Sequence, residues 1–187
     1  MRRLRVAMNL SLDGFSAGPD GDLSWGVPSD GLFAWWSDRI AATSLALYGR
    51  GLWEAMSSHW PTADQQPDAT PAHAEYAHRW REMPKVVFSS TIRATEWNAR
   101  PFDGDAVAEI ARLKTEDGGP MDIGGTALAR AAIGAGLVDE YVLVTHPVLI
   151  GAGTRFFPAS DSLAQLELTE TRTFPGGVLL TRYDARP

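Results

Sequence analysis

The sequence predicts an α/β domain built on a mostly parallel sheet that ends in an antiparallel edge hairpin. Three observations carry this. Apolar runs of strand length alternate with stretches of helical period through most of the chain, the order that builds parallel sheets with helices on their faces. The last two strands instead follow each other directly, with Pro175-Gly176-Gly177 between them, and that composition turns a chain back on itself. No repeat and no linker divides the 187 residues, which fit a single domain, 1–187, able to bury a proper core.

Each element has its own signal. Arg5 to Leu12 reads as a buried strand stopped by Asp13-Gly14. A loop rich in Gly, Pro and Asp follows (residues 18–22), then a helix capped by Ser29 or Asp30, with Leu32, Phe33, Trp36 and Ile40 at helical spacing. Ser44–Tyr48 is a second strand, and Gly49-Arg50 opens a short helix carrying Leu52, Trp53 and Met56. Residues 61–71 are expected to form a mobile loop, residues 72–82 a helix and 85–89 a strand. The stretch 103–116 is an amphipathic helix, 121–123 a strand, 124–125 a tight turn and 126–135 a helix. Tyr141–Val144 and the hairpin from about Leu163 to Tyr183 complete the sheet.

Composition excludes several functions. Hydrophobic residues at 44% and charged residues at 21% give an ordinary globular balance rather than disorder. The net charge is −6 and no dense Lys/Arg run exists, so no nucleic acid is expected as partner. With no cysteine there is no thiolate nucleophile, disulfide or zinc–thiolate site. The four histidines are scattered, His73 and His78 do not share a helix face, and no metal is expected. No apolar run reaches the ~20 residues of a spanning helix and no secretory signal opens the chain. The expected compartment is the cytoplasm.

Three segments share one design, a strand ending in glycines or small polar residues just before a helix: Tyr48-Gly49-Arg50-Gly51, Ser89-Ser90-Thr91 and Ile123-Gly124-Gly125-Thr126. Ligands of open α/β sheets gather at the carboxyl ends of strands. Helix N-termini there offer free N–H groups to phosphates, and glycine allows close backbone approach. Arg50, Ser89 and Ser90 add groups suited to a monophosphate. Gly151-Ala152-Gly153-Thr154 contains G-x-G, but Phe156 stands where a third glycine would be, so it reads as a turn.

Taken together with Ser11-Leu12-Asp13-Gly14, Trp53-Glu54, Gly136-Leu137-Val138-Asp139-Glu140 and the His146–Gly153 run, these segments resemble the dihydrofolate reductase superfamily. The resemblance runs from Val6 to Tyr183 and is greatest to the branch holding the C-terminal domain of the bacterial riboflavin-pathway deaminase/reductase. It implies a dihydrofolate reductase-like three-layer sandwich with an eight-stranded mixed sheet, NADPH as cofactor and reduction of a small heterocycle of pyrimidine or pterin type. By the same resemblance Arg50, Ser89 and Ser90 meet the 2′-phosphate. Gly124, Gly125 and Thr126 lie under the pyrophosphate, Gly49, Gly51 and Leu52 supply a second helix start, and Ala7 and Ser16 lie near the nicotinamide.

Trp25, Asp30 and Phe33 fall on the substrate side of that resemblance. Asp30 matches the substrate-binding acid of folate enzymes and Thr145 the threonine hydrogen-bonded to it, which implies a catalytic carboxylate. The other reading of Asp30 is a helix cap. One departure counts against folate itself: where folate enzymes clamp a carboxylate with arginine, this chain has Met83, and Arg79 or Arg81 would have to substitute. A non-catalytic nucleotide-binding protein of the same fold is the alternative function. The resemblance also implies a homodimer, with Trp35 or Trp36, Phe156 and Phe157 as an aromatic contact patch.

Overall fold

The computed structural model describes residues 1–160 and 163–186. Its main sheet has eight strands: β1 (Leu4–Ser11), β3 (Leu45–Gly49), β4 (Lys85–Phe88), β5 (Ala99–Phe102), β6 (Met121–Gly124), β7 (Glu140–His146), β9 (Leu166–Phe174) and β10 (Val178–Ala185). Two short strands, β2 (Phe15–Ala17) and β8 (Thr154–Arg155), pair separately. The order across the main sheet is β5-β4-β3-β6-β1-β7-β10-β9. The first six run parallel, and β10 and β9 close the edge antiparallel. The hairpin turns at Pro175–Gly177, where Gly176 and Gly177 take φ of 81° and 76°, values that favour glycine.

Alternation along the strands divides the core between two faces. On one face Leu4, Val6, Leu47, Val86 and Ile123 pack against α4 (Ala106–Thr115) and α5 (Thr126–Gly134). On the other, Val142, Val144 and Leu180 lie under Leu32 and Trp35 of α1 (Asp30–Ala41). Ala46, Tyr48 and Val87 lie on that same face, under Trp53 of α2 (Arg50–His59) and Trp80 of α3 (Pro71–Glu82).

Several sequence expectations change. The region 61–71 begins as a 3-10 turn, Trp60–Gln65, with Pro61 and Ala63 buried. Arg81 pins it by donating to Pro61 O (2.9 Å) and to Asp64 (2.8 Å). Polar composition hid an anchor supplied from 20 residues away. The strands β2, β5 and β8 lacked a signal because each is very short or carries Arg and Pro. The aromatic contact patch is not a surface: Phe156 is 0% exposed and Trp35 is buried, while Trp36 is half-buried and lines a cavity. Of that set, Phe157 alone is well exposed.

Candidate active site

Parallel strands deliver successive helix starts to one edge of the sheet. β3 runs into α2 through Gly49, β6 into α5 through Gly124-Gly125, and β4 into the Ser89–Thr91 turn. The registers Gly49↔Phe88 and Tyr48↔Gly124 set these ends side by side. Two glycines make the contact possible. A Cβ on Gly124 would stand 2.3 Å from Leu52 Cδ2, inside any tolerable contact. Gly125 has φ +92°, and its Cβ would meet Gly49 N and Leu52 Cβ at 3.4 Å.

Capping separates these helices from the others. Ser29 Oγ accepts from Leu32 N (3.4 Å) at α1, Thr70 Oγ1 from His73 N (3.2 Å) at α3, and Asp105 from Ala108 N (3.1 Å) at α4. The residues preceding α2 and α5 are Gly49 and Gly125, and no side chain caps either helix. Their first N–H groups and the positive ends of their dipoles are therefore left for an external acceptor.

Beside this edge lies a cavity of about 380 Å³. Ala7, Ser16, Leu52, Gly124 and Gly125 line it, together with Phe33, Trp36, Trp60, Tyr76 and Met83. Ser16 Oγ lies 2.9 Å from Thr126 Oγ1 and donates to Thr154 O at 3.1 Å, tying β2 and β8 to the start of α5. The Ser11–Gly14 motif serves the same wall. Asp13 accepts from Ile150 N (3.2 Å) and Gly151 N (2.7 Å), so motifs 137 residues apart meet. A hydrogen bond from Ser11, then those two N–H groups, hold the Asp13 carboxyl down at about 2. Gly153 is the counterpart: a Cβ there would lie 2.2 Å from Ala17 O.

Arg50 opens α2 with its guanidinium 58% exposed and 3.2 Å from Glu54. Ser89 Oγ accepts from Thr91 N and Ile92 N, both at 3.1 Å, which fixes the turn, and Ser90 is exposed. Gly51 has open space above it. The structure thus collects Ala7, Ser16, Leu52, Gly124 and Gly125 around one hollow, with Gly49 and Thr126 beside them and Arg50, Gly51, Ser89 and Ser90 along the same edge.

It does not unite Asp30 with Thr145. Ser29 takes the cap, leaving Asp30 as the first helical residue, exposed and without a hydrogen bond among the described residues. Asp30 borders a separate, adjoining hollow with Asp38, His73, Glu75 and Arg79, which shares Pro28, Phe33 and Trp60 with the main cavity. Thr145 alternates with Val144 and His146, so its side chain lies on the face opposite α1. The expected buried acid with its threonine partner is absent among the described residues. Phe33 does line the cavity; Trp25 does not, but lies edge-on to His146 (5.4 Å) and donates to Asp22 O (3.1 Å).

Sequence reading missed the polar floor. Arg5, Asp122 and Glu140 are level on three adjacent strands, and Arg39 of α1 lies across them, 2.6 Å from Asp122 and 3.3 Å from Glu140. Arg5 is 2.6 Å from Asp122, and Thr43 Oγ1 donates to it as well. Burial draws the Arg39 guanidinium below its usual value, against the upward pull of Asp122. Nearby, buried His146 is also drawn down by desolvation, with Nε2 3.3 Å from Asn9 Oδ1. Asn9 lines the cavity. The one available signal was positional, a charged residue at the same level of each strand.

Residues 2–180 match the model of the RibD C-terminal domain. The chain belongs to that family. Relatives of this RibD C-terminal domain include the uncharacterized protein YyaP of Bacillus subtilis, 29% identical over 185 residues, which span 97% of this chain and 94% of YyaP. A putative riboflavin biosynthesis protein from Shewanella sp. PV-4 superposes with a TM-score of 0.77 at 21% identity, covering 99% of both chains. Dihydrofolate reductase from Enterococcus faecalis, solved with NADP(H), superposes at 0.65 with 17% identity, covering 99% of this chain and 97% of that one. At such identities the likeness is one of fold, and the fold is dihydrofolate reductase-like.

Proposed function

We propose that this RibD C-terminal domain is an NADPH-dependent reductase of a small pyrimidine- or pterin-type heterocycle. The observation that carries the reading is the pair of glycine-capped helix starts, α2 and α5, packed backbone to backbone beside an aromatic-walled cavity. Such a cradle suits a pyrophosphate, whose oxygens take the uncapped N–H groups. Gly49, Gly51, Leu52, Gly124, Gly125 and Thr126 form it, and Arg50, Ser89 and Ser90 receive the 2′-phosphate beside it. Ala7 and Ser16 border the nicotinamide end. When bound, NADPH supplies a hydride to an electrophilic carbon of the substrate, and the balancing proton comes from solvent. Phe33 and Trp36 stack on the heterocycle and exclude water from it.

The same reading places the protein in the cytoplasm as a homodimer. Leu166, Leu168 and Leu179, exposed on one face of the β9–β10 hairpin, suit a contact between copies. Among the described residues, no helix is long and apolar enough to cross a membrane. A fluorescence titration with NADPH and NADH, followed by acceptor-dependent NADPH oxidation, tests the reductase reading. NADPH binding without oxidation by any heterocycle would leave a nucleotide-binding protein, and no NADPH binding would refute both.

A further inference from the structure

The cavity and the hollow beside it say what charge the substrate carries. A phosphate or carboxylate drawn out of water against these walls needs a cation or several donors aimed at it, because burying an unpaired charge is far costlier than burying a neutral ring. Two arginines line these hollows, and both are occupied. Arg39 is held by Asp122 at 2.6 Å and Glu140 at 3.3 Å. Arg79 is held by Glu75 at 2.5 Å and also donates to Ser37 O at 3.0 Å. The charges of the floor, Arg5 and Arg39 against Asp122 and Glu140, balance each other within hydrogen-bonding distance.

Farther out, Arg81 is committed to Asp64 at 2.8 Å. Lys85 donates to Met83 O (2.6 Å) and Trp97 O (2.8 Å), behind the aromatic wall. Met83, where folate enzymes place their clamp, is apolar and buried. Among the described residues, the adjoining hollow adds no free cation for an anion: its Arg79 is paired with Glu75, and the carboxylates of Asp30 and Asp38 stand beside its His73. What the cavity does offer is flat aromatic surface from Phe33, Trp36 and Trp60, with uncharged polar side chains beside it, Asn9 among them. Asn9 Oδ1 is engaged by His146 Nε2 at 3.3 Å, which leaves the amide nitrogen to donate.

We propose that the substrate is an uncharged, flat heteroaromatic compound that presents a carbonyl or ring-nitrogen acceptor, and that it lacks the phosphate or carboxylate of phosphoribosyl-pyrimidine and folate substrates. This rests on the reductase reading for the reaction but not for the recognition, since the walls act on charge whether or not hydride is transferred.

The test is a binding comparison of matched pairs, made on the full chain with and without NADPH: pterin against 6-carboxypterin, and a ribosylaminouracil against its 5′-phosphate. Ligand fluorescence serves for the pterins and calorimetry for the uracils. The uncharged member of each pair is expected to bind at least 10-fold more tightly. Asp30→Lys, a change at an exposed position, is expected to narrow the gap by strengthening the anionic member several-fold. Equal or tighter binding of the anionic members, or no binding of either uncharged compound at its solubility limit, overturns the proposal. NADPH affinity is measured separately, so loss of the reductase reading shows as failed cofactor binding while the paired comparison keeps its own outcome.

Discussion

Gly124 is where the proposed cradle is most open to a decisive change. An alanine there would put its Cβ 2.3 Å from Leu52 Cδ2, more than 1 Å closer than ordinary contact, with Tyr48 carbons at 3.7 Å behind. The backbone of β6 is held on both sides, by β1 and β3, so the Leu52 side chain must turn aside, and the start of α2 is strained only where its packing stops that rotation. Overpacking of this kind costs about 1–3 kcal/mol. Felt entirely in cofactor binding, that is about 5- to 150-fold in Kd; felt in stability, it lowers Tm by about 2–4 °C per kcal/mol in a chain of this size. Leu52→Ala removes the colliding atom. Gly124→Ala is therefore expected to weaken NADPH binding at least 5-fold in a fluorescence titration, and Gly124→Ala/Leu52→Ala to recover most of the loss despite carrying two substitutions. Wild-type affinity in Gly124→Ala would show that α2 and α5 need not touch to bind the cofactor. Additive losses in the double variant would show that the collision with Leu52 is not the cause.

Arg50→Ala should weaken NADPH binding about 10-fold while leaving NADH unchanged, the low end for a charge-assisted contact because the guanidinium is half-exposed and shared with Glu54; equal losses for the two dinucleotides would remove Arg50 from the 2′-phosphate. Asp30→Asn should keep turnover within about 3-fold, a 0.7 kcal/mol effect, since Asp30 stands outside the main cavity; loss of turnover in steady-state assays would place the carboxylate in the chemistry after all. Burial pushes the Lys85 ammonium down to about 8 from 10.5. Between those values the unfolded chain binds more protons than the folded one, so unfolding free energy should rise with pH across that window. Denaturant titrations at pH 7.5 and 10 should show the rise in the parent and a smaller one in Lys85→Met. Leu168→Glu should leave NADPH affinity intact and shift sedimentation at micromolar concentration toward monomer; a parent that sediments only as monomer refutes the dimer.

The sheet was legible in the sequence wherever a strand carried its own apolar run. β1, β3, β4, β6 and β7 did so because they lie inside the sheet with packed clusters on both of its faces, and Pro175-Gly176-Gly177 announced the closing hairpin. β5 reads Ala-Arg-Pro-Phe and is a strand only because β4 pairs with it in register; nothing local requires that. The glycine-bearing helix starts were legible because close backbone approach leaves a residue-type trace. Arg81 holding the 61–65 turn left none. A long side chain reaching 20 residues back is chosen by tertiary geometry, and composition in that stretch reported only polarity.

The failure over Asp30 and Thr145 has a sharper cause, because a strand converts an offset of one residue into a change of face. Thr145 reaches the α1 side only if β7 slips by one position. That slip would turn Val142 and Val144, both fully buried under Leu32 and Trp35, away from their cluster, at about 1.5–3 kcal/mol each. It would also take Glu140 from Arg39 and leave a buried guanidinium short of a partner, a loss on the order of 3–5 kcal/mol when one member of a buried pair goes. Against this stands one hydrogen bond to a carboxylate, about 1.5–3 kcal/mol, and Asp30 is exposed to water in any case. The unshifted pairings of β7 with β1 and with β10 are thus the outcome that packing and charge both select. They bring His146, not Thr145, to the face where Asn9 borders the cavity. On the proposed reading, the amide of Asn9 on β1 would then meet the substrate in place of the acid that the resemblance implied at the start of α1, and that is also the arrangement an uncharged substrate needs.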